Sequence, residues 1–207
     1  MTRPINTQTV IQNMKRMLSD RGWMMESEET NTIDYVPNES NEESISGAIK
    51  IVATAWAPTT QGLPNHVCCI MHERDKEIKK SFGIDSIRKY LPFLKGRGFQ
   101  QAIFLVDAKV TPQARQATAQ SSILCEFFLF ESLTHIVVDH RKMAHSRRLT
   151  PEEEIELKKV IDPTKLPKIL LHKDPVAKYY GYRPGYIIVS KRGSEENGTA
   201  VTFRIVI

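Results

Sequence analysis

The amino-acid sequence predicts two domains, an α/β domain over residues 1–146 and a smaller α+β domain over residues 147–207. Before residue 147, apolar residues at helical spacing alternate with short β-rich runs, a pattern typical of a sheet covered by helices. After residue 147, a short capped helix precedes two β-rich runs that flank an Asn-Gly turn. A chain of 207 residues is long enough for two domains that each bury a core.

The first helix of the α/β domain is predicted over residues 9–25, and Gly22 ends its apolar periodicity. Its apolar residues recur at helical spacing: Val10, Ile11, Met14, Met17 and Leu18. Residues 26–43 carry seven acidic side chains and no basic ones. Because like charges repel one another, this segment is expected to be an extended, poorly ordered loop.

The rest of this domain alternates strands with helices. Residues 48–57 and 67–72 are β-rich and are joined by a turn-prone loop at 58–65. A helix is predicted at 84–94, and Thr111-Pro112 caps and opens another. Further strands are predicted at 101–107, 123–130 and 133–138.

The C-terminal domain begins with a helix that Thr150 caps and that Glu153 closes through a capping box. A second, short helix is predicted at 176–180, with Asp174 as N-cap and Pro175 at the first helical position. Gly181 then supplies the left-handed conformation that ends the helix.

Two strands complete the C-terminal domain, at residues 186–190 and 199–207, on either side of the hairpin signal Asn197-Gly198. The second strand alternates, so Val201, Phe203 and Ile205 share one face and Thr202 and Arg204 the other.

Composition bounds the function. The net charge is +5; residues 147–207 carry twelve basic and eight acidic side chains, and the preceding residues carry seventeen and sixteen. This excess is compatible with a nucleic-acid neighbour. Three cysteines, an odd count, and the absence of an apolar N-terminal segment favour a soluble intracellular protein, without disulfides or a membrane span.

A set of residue types at fixed spacing in the last third of the chain resembles the C-terminal signature of one RNA polymerase subunit family. That family is the fifth subunit shared by the three eukaryotic nuclear polymerases, together with its shorter archaeal RNA polymerase counterpart, which is similar to it in this portion. The matching residues are Leu166, Pro167, Ile169, Asp174, Pro175, Val176, Ala177, Tyr179, Gly181, Gly185, Arg192, Ser194, Glu195, Gly198 and Arg204.

The resemblance extends more weakly into the first domain, through residues 19–23, 98–105 and 111–114 and the segment 135–145. Two departures stand out. Gln113 occupies a position where the family usually has Ser, and residues 141–145 read RKMAH where the family has a Leu-Val-Pro-x-His joint. This divergence suggests a viral homologue, from a large DNA virus that transcribes in the cytoplasm.

The resemblance implies a subunit without catalytic activity or cofactor in a DNA-directed RNA polymerase, acting in the nucleus if cellular and in host cytoplasm and virion if viral. It implies that the first domain is a nuclease-like jaw beside downstream duplex DNA, which it contacts weakly and without sequence preference. The second domain would dock on the largest subunit. The DNA-proximal residues would be Lys109, Thr111, Pro112, Gln113, Ala114 and Arg115. The partner-binding residues would be Leu166, Pro167, Asp174, Pro175, Val176, Tyr179, Tyr180, Gly181 and Arg192.

Four tyrosines near the C-terminus suit an interface, because aromatic rings cluster at interface centres. They are Tyr179, Tyr180, Tyr182 and Tyr186. The competing interpretation places one or two of them in the core of the domain itself.

A metal-dependent nuclease is the main alternative function. Asp107 and Lys109 form an Asp-x-Lys at a predicted strand end, as in restriction-type nucleases, where the carboxylate holds a metal. Its partner carboxylate would be Glu73, Asp75 or Asp85, none in a persuasive context, so a polar strand end is favoured. A free-standing basic adaptor that binds nucleic acid is the third class.

Two further clusters have chemically interesting residue types. His66, Cys68, Cys69 and His72 resemble metal ligands, but adjacent residues of a strand face opposite sides of a sheet, so core positions are favoured for the cysteines. A basic stretch is interpreted as a polar interdomain joint, with a phosphate or partner contact left open. It comprises His135, His140, Arg141, Lys142, His145, Arg147 and Arg148.

Overall fold

The computed structural model describes residues 5–27, 29–35, 47–58, 65–72, 81–140, 143–171, 173–194 and 198–207. The chain divides into two compact units, Met1–His135 and Ile136–Ile207. The division lies before the boundary that the sequence predicts at residue 147. It does so because His145–Arg148 forms a strand that pairs within the second unit.

The first unit is a mixed sheet with three helices. The helices are α1 (Thr7–Asp20), α2 (Ile84–Gly96) and α3 (Pro112–Ala119). The strands are β1 (Met24–Ser27), β2 (Asn31–Tyr35), β3 (Gly47–Ala57), β4 (Asn65–His72), β5 (Gln101–Val106) and β6 (Leu124–Leu129). The sheet order is β1-β3-β4-β5-β6, and β2 also pairs with β3. Strands β4, β5 and β6 are parallel, and the other pairs are antiparallel.

The first helix follows the predicted pattern. Asn6 caps it by accepting a hydrogen bond from Gln8 N at 3.0 Å, and the five predicted apolar residues are all buried. Gly22, with φ of +79°, lies just beyond its end. Residues 24 and 25 belong to β1 instead of the helix, because the left-handed glycine turns the chain back towards β3.

Both faces of the sheet are buried, as continuous apolar runs predict for parallel strands. On one face, α2 and α3 cover a core that includes Cys68, Phe104 and Phe127. Residues of opposite parity, such as Cys69 and Ile103, are buried on the other face.

Two sequence predictions in this unit are wrong. Residues 31–35 form β2, since Ile33 packs on the core and pairing with β3 outweighs the acidic composition; residues 36–43 lie outside the described part. Residues 133–138 form no strand but belong to the 3-10 turns Phe130–Leu133 and Val137–Asp139. There the hydroxyl of Thr134 donates to Glu131 O at 2.8 Å, a local bond that competes with extended structure.

The second unit is a four-stranded sheet with two helices. The helices are α4 (Pro151–Val160) and α5 (Pro175–Tyr179). The strands are β7 (His145–Arg148), β8 (Lys168–Ile169), β9 (Ile187–Ser194) and β10 (Gly198–Val206). Their order is β7-β9-β10-β8, with β8 parallel to β10 and the other pairs antiparallel.

Local signals in this unit are confirmed. Thr150 and Glu153 form the capping box at the start of α4. The hairpin closes at Gly198, whose φ is +71°, and Ser194 pairs with it. The strand before the hairpin runs to Ser194, four residues beyond its predicted end, because β10 continues to pair with it.

The sheet of the second unit has a small apolar cluster on each face. One cluster includes Leu149, Leu166 and Val189, with Phe203 and Ile205 packed against it. The other consists of Ile169, Ala177, Tyr182, Ile188 and Val206. Of the helices in the described ranges, none is long and apolar enough to cross a membrane.

Candidate functional site

The predicted DNA-proximal residues lie at the start of α3. Thr111 is the N-cap, and its hydroxyl oxygen accepts a hydrogen bond from Ala114 N at 3.2 Å. Pro112 takes the first helical position. A bridge to Phe82 fixes the preceding loop, since Thr111 N donates to Phe82 O at 3.0 Å and Phe82 N donates to Lys109 O at 3.1 Å. The helix start is therefore held rigidly against the core.

Four of the six predicted DNA-proximal residues are exposed: Lys109, Pro112, Gln113 and Arg115. Ala114 is fully buried in the core beneath α3, so its side chain holds the helix in place and cannot reach a ligand. The guanidinium of Arg115 lies 5.7 Å from the centre of the Phe127 ring. Two cations thus flank a helix N-terminus, an arrangement that attracts phosphate.

The Asp-x-Lys motif lies at the C-terminal end of β5, as the sequence predicts. Asp107 and Lys109 are both exposed. Asp85 is exposed in the first turn of α2, and Glu73 and Asp75 fall outside the described residues. Within the described ranges, no group of three or more His, Cys, Asp or Glu side chains could hold a metal ion.

The His/Cys cluster is part of the core. Cys68 and Cys69 are buried, and burial raises the pKa of Cys68 to about 12. Only Cys68 belongs to the core beneath α2, consistent with side chains on opposite faces of β4. His72 instead pairs with Tyr90, whose hydroxyl lies 2.8 Å from His72 Nδ1, and burial lowers the pKa of His72. His66, at the other end of β4, lies 3.7 Å from Glu26.

The start of α5 holds several of the predicted partner-binding residues. One carboxylate oxygen of Asp174 accepts hydrogen bonds from Val176 N at 2.9 Å and Ala177 N at 2.8 Å. Gly181, with φ of +63°, ends the helix, and Tyr182 N donates to Ala177 O at 3.0 Å. The whole turn is therefore closed by its own hydrogen bonds.

The predicted partner-binding residues separate into buried and accessible groups. Leu166, Val176 and Tyr179 are buried within the unit, so they shape the surface and do not themselves offer area to a partner. Pro167, Pro175 and Arg192 are exposed, and Tyr180 is partly buried.

The four tyrosines divide in the same way. Tyr179 and Tyr182 are 3% and 8% exposed, which places both in the core of the unit. Tyr180 and Tyr186 are partly buried, and Tyr180 stacks on Tyr182 with ring centres 5.4 Å apart. The guanidinium of Arg148 lies 3.5 Å above the Tyr186 ring. The interpretation that places two of the rings in the core therefore fits the structure.

The described part of the basic stretch is tied into the second unit's own structure. Arg147 forms two hydrogen bonds of 2.7 Å with Glu153, and this interaction lowers the pKa of Glu153 to about 2. Arg148 lies 3.8 Å from Glu154. Arg141 and Lys142 lie outside the described residues.

Sequence reasoning missed two clefts on opposite faces of the β9–β10 hairpin. The first, here called the apolar cleft, is lined mainly by Leu149, Ile155, Leu157, Val189, Val201 and Phe203. The second, here called the arginine cleft, is lined among others by Asp174, Tyr182, Ser190, Arg192, Thr202 and Arg204. The alternation of β10 was the available signal, because it places Val201 and Arg204 on different faces.

Comparison with known proteins finds one family model, described as RNA polymerase Rpb5, C-terminal domain, which matches residues 136–206. A curated Dictyostelium discoideum protein, DNA-directed RNA polymerases I, II, and III subunit rpabc1, is 34% identical over 131 residues. That alignment covers 60% of this chain and 66% of the relative.

The RPABC1 subunits of Caenorhabditis briggsae and Caenorhabditis elegans are each 30% identical over 129 residues, covering 60% of this chain and 61% of theirs. The chain thus spans less than two thirds of the length of these relatives. A crystal structure titled Protein of Unknown Function AF1548 aligns with 73% of this chain and 77% of its own. Its TM-score of 0.37 at 14% identity is too low to assign a fold.

Proposed function

The chain belongs to the Rpb5 family, whose C-terminal domain occupies residues 136–206, and on this premise we propose that it is a non-catalytic subunit of a DNA-directed RNA polymerase. The match of the second unit to that domain is the observation that carries the proposal. The relatives from Dictyostelium and Caenorhabditis are subunits of polymerases I, II and III. They support the nucleus as the place of action, and as cellular proteins they lend no support to a viral origin, the host cytoplasm or the virion.

Copurification from the native source tests this proposal. The chain is tagged, the complex is purified, and its subunits are identified by mass spectrometry. We expect the two large catalytic subunits of a polymerase in stoichiometric amount. A chain recovered alone, or with other partners, would favour the free-standing adaptor. Purified chain that cleaves DNA with Mg²⁺, and loses this activity on Asp107→Ala, would favour the nuclease.

The first unit would act as the jaw beside downstream duplex DNA. Its mixed sheet with a parallel β4–β5–β6 core supports a nuclease-like architecture, and the start of α3 offers Lys109 and Arg115 beside free helix amides. Because this half of the chain carries only one excess positive charge, seventeen basic against sixteen acidic side chains, few phosphates are neutralised. We therefore expect weak binding without sequence preference.

The DNA contact is tested in a transcribing polymerase. Each phosphate contact contributes about one unit to the dependence of log affinity on log salt. Lys109→Ala with Arg115→Ala should lower that slope by about two units on a downstream duplex. Lys95→Ala, an exposed lysine at the end of α2, is the matched control. An unchanged slope in the double variant would remove these residues from the interface.

The second unit would attach the chain to the largest polymerase subunit. Tyr180 is the aromatic residue of α5 that stays accessible, and Pro167, Pro175 and Arg192 are exposed. Tyr180→Ala should weaken assembly while the first unit stays folded, and Tyr180→Phe, which keeps the ring, is the control. Removing residues 147–207 should leave a jaw that no longer copurifies with the largest subunit. Normal assembly of this truncated chain would show that the second unit is not the anchor.

A further inference from the structure

Strand β10 leaves most of one edge without a partner strand. It pairs with β9 from Gly198 to Ile205, but β8 pairs with it only at Ile205 and Val206. Ile205 N donates to Pro167 O and Ile207 N to Ile169 O, both at 2.9 Å, which identifies the side that β8 occupies. Within the described part of the chain, no strand pairs with β10 on that side before Ile205.

The backbone groups along this edge are ready to pair. Because successive residues of a strand point their N–H and C=O groups to opposite edges, Val201 and Phe203 face the same side as Ile205. The free stretch from Thr199 to Phe203 is about 17 Å long at 3.4 Å per residue. It carries neither of the features that usually protect an edge strand, a proline or a lysine.

The side chains on the two faces of this edge differ in kind. On one face lies the apolar cleft, where Val201 is 48% and Ile155 is 58% exposed. On the other face lies the arginine cleft, where Arg192 and Arg204 stand on either side of the Thr202 position. Neither arginine forms an ion pair with any residue that the structure describes.

We infer that the free edge of β10 binds an extended segment of another polymerase subunit, in which apolar and acidic residues alternate. Added as a further strand, the segment would pair its backbone with Val201 and Phe203. Its apolar side chains would enter the apolar cleft, and its carboxylates would face Arg192 and Arg204. The charge of these arginines favours an acidic segment over a basic one. The inference rests on the proposed function and names the form that the docking segment takes.

A proline scan of β10 separates strand addition from other docking modes. Val201→Pro removes an N–H that points to the free edge and leaves the bonds to β9 intact, so the unit should fold. Val201→Thr is the matched control, since it keeps the N–H and a branched side chain. Each full-length variant is labelled isotopically and competes with unlabelled wild type for incorporation into the polymerase, and mass spectrometry gives the ratio.

We expect Val201→Pro to be incorporated about tenfold less than wild type, and Val201→Thr to be close to wild type. Arg192→Glu with Arg204→Glu, a surface change that does not depend on the proline, should lower incorporation by a similar factor. The folded state of every variant is confirmed by slow amide exchange at Ala200 and Thr202, whose N–H groups point towards β9.

Amide exchange of the wild type provides an independent measurement. Val201 and Phe203 should exchange rapidly in the free chain and slowly in the polymerase, whereas Ala200 and Thr202 are slow in both. Equal incorporation of folded Val201→Pro, or rapid exchange at 201 and 203 in the polymerase, would overturn the inference and leave the subunit assignment standing. Protection of these amides in the concentrated free chain would assign the edge to a second copy and also overturn it. Wild type that enters no polymerase would overturn both.

Discussion

The cap of α5 is the local feature on which the second unit's predicted docking surface depends, and Asp174→Ala removes it. Pro175 has no N–H, so the first helical turn presents two donors that need a side-chain acceptor, Val176 N and Ala177 N. Asp174 Oδ1 accepts from both, and the N–H of Lys178 is already bonded to Asp174 O at 3.1 Å. The substitution therefore leaves two partly buried donors unpaired.

The free energy of unfolding of the second unit should fall by about 2 kcal/mol, the upper end of the range for N-caps, because two donors are affected. Asp174→Asn keeps an acceptor oxygen and should cost only a few tenths of a kcal/mol. Asp162→Ala is the second control. Asp162 also caps a turn, but it accepts one exposed backbone bond from Thr164 N at 2.9 Å, so we expect a loss of about 0.5 kcal/mol.

The two units can be followed separately in urea unfolding of the full chain. Both tryptophans, Trp23 and Trp56, belong to the first unit, and four of the six tyrosines lie after residue 178. Tyrosine absorbance then reports the second unit, and tryptophan fluorescence should be unchanged in all three variants. A loss below about 0.5 kcal/mol for Asp174→Ala, or an equal loss for Asp174→Asn, would refute the capping argument.

The remaining predictions concern ion pairs and buried titratable side chains. Arg21 forms two hydrogen bonds with Glu126, at 2.9 and 2.8 Å, and the side chains are 5% and 22% exposed; Arg21→Ala should cost about 3 kcal/mol by tryptophan-detected unfolding. Glu156→Gln, in an exposed pair of the second unit, should cost less than about 0.5 kcal/mol by tyrosine-detected unfolding. Burial lowers the pKa of His72, so the unfolded chain binds a proton more readily and stability should fall below about pH 6.5; the same dependence after replacement of His72 by Phe would contradict this. Burial raises the pKa of Cys68 to about 12, so a thiol reagent should modify it at about pH 8 only after unfolding.

Local sequence signals predicted most elements of both units. Caps such as Asn-Gly at the hairpin and Thr150 with Glu153 act within a few residues, so their effect is encoded where it is felt. Strand β2 and the 3-10 turn at Val137–Asp139 were not predicted. The first depends on pairing with a distant strand, and the second on a run of apolar residues that finds no partner strand, and neither condition is local.

The sequence by itself determined the family resemblance, the two-domain organisation, the capped turn at Asp174 and the residues offered as candidate sites. Only the tertiary structure decided which of those residues are accessible. It buries Tyr179 and Tyr182, leaves Tyr180 partly exposed, and places Val201 and Arg204 in different clefts beside a free strand edge. The reason is physical: spacing along the chain fixes which face a residue shares, whereas its burial depends on which distant elements cover that face.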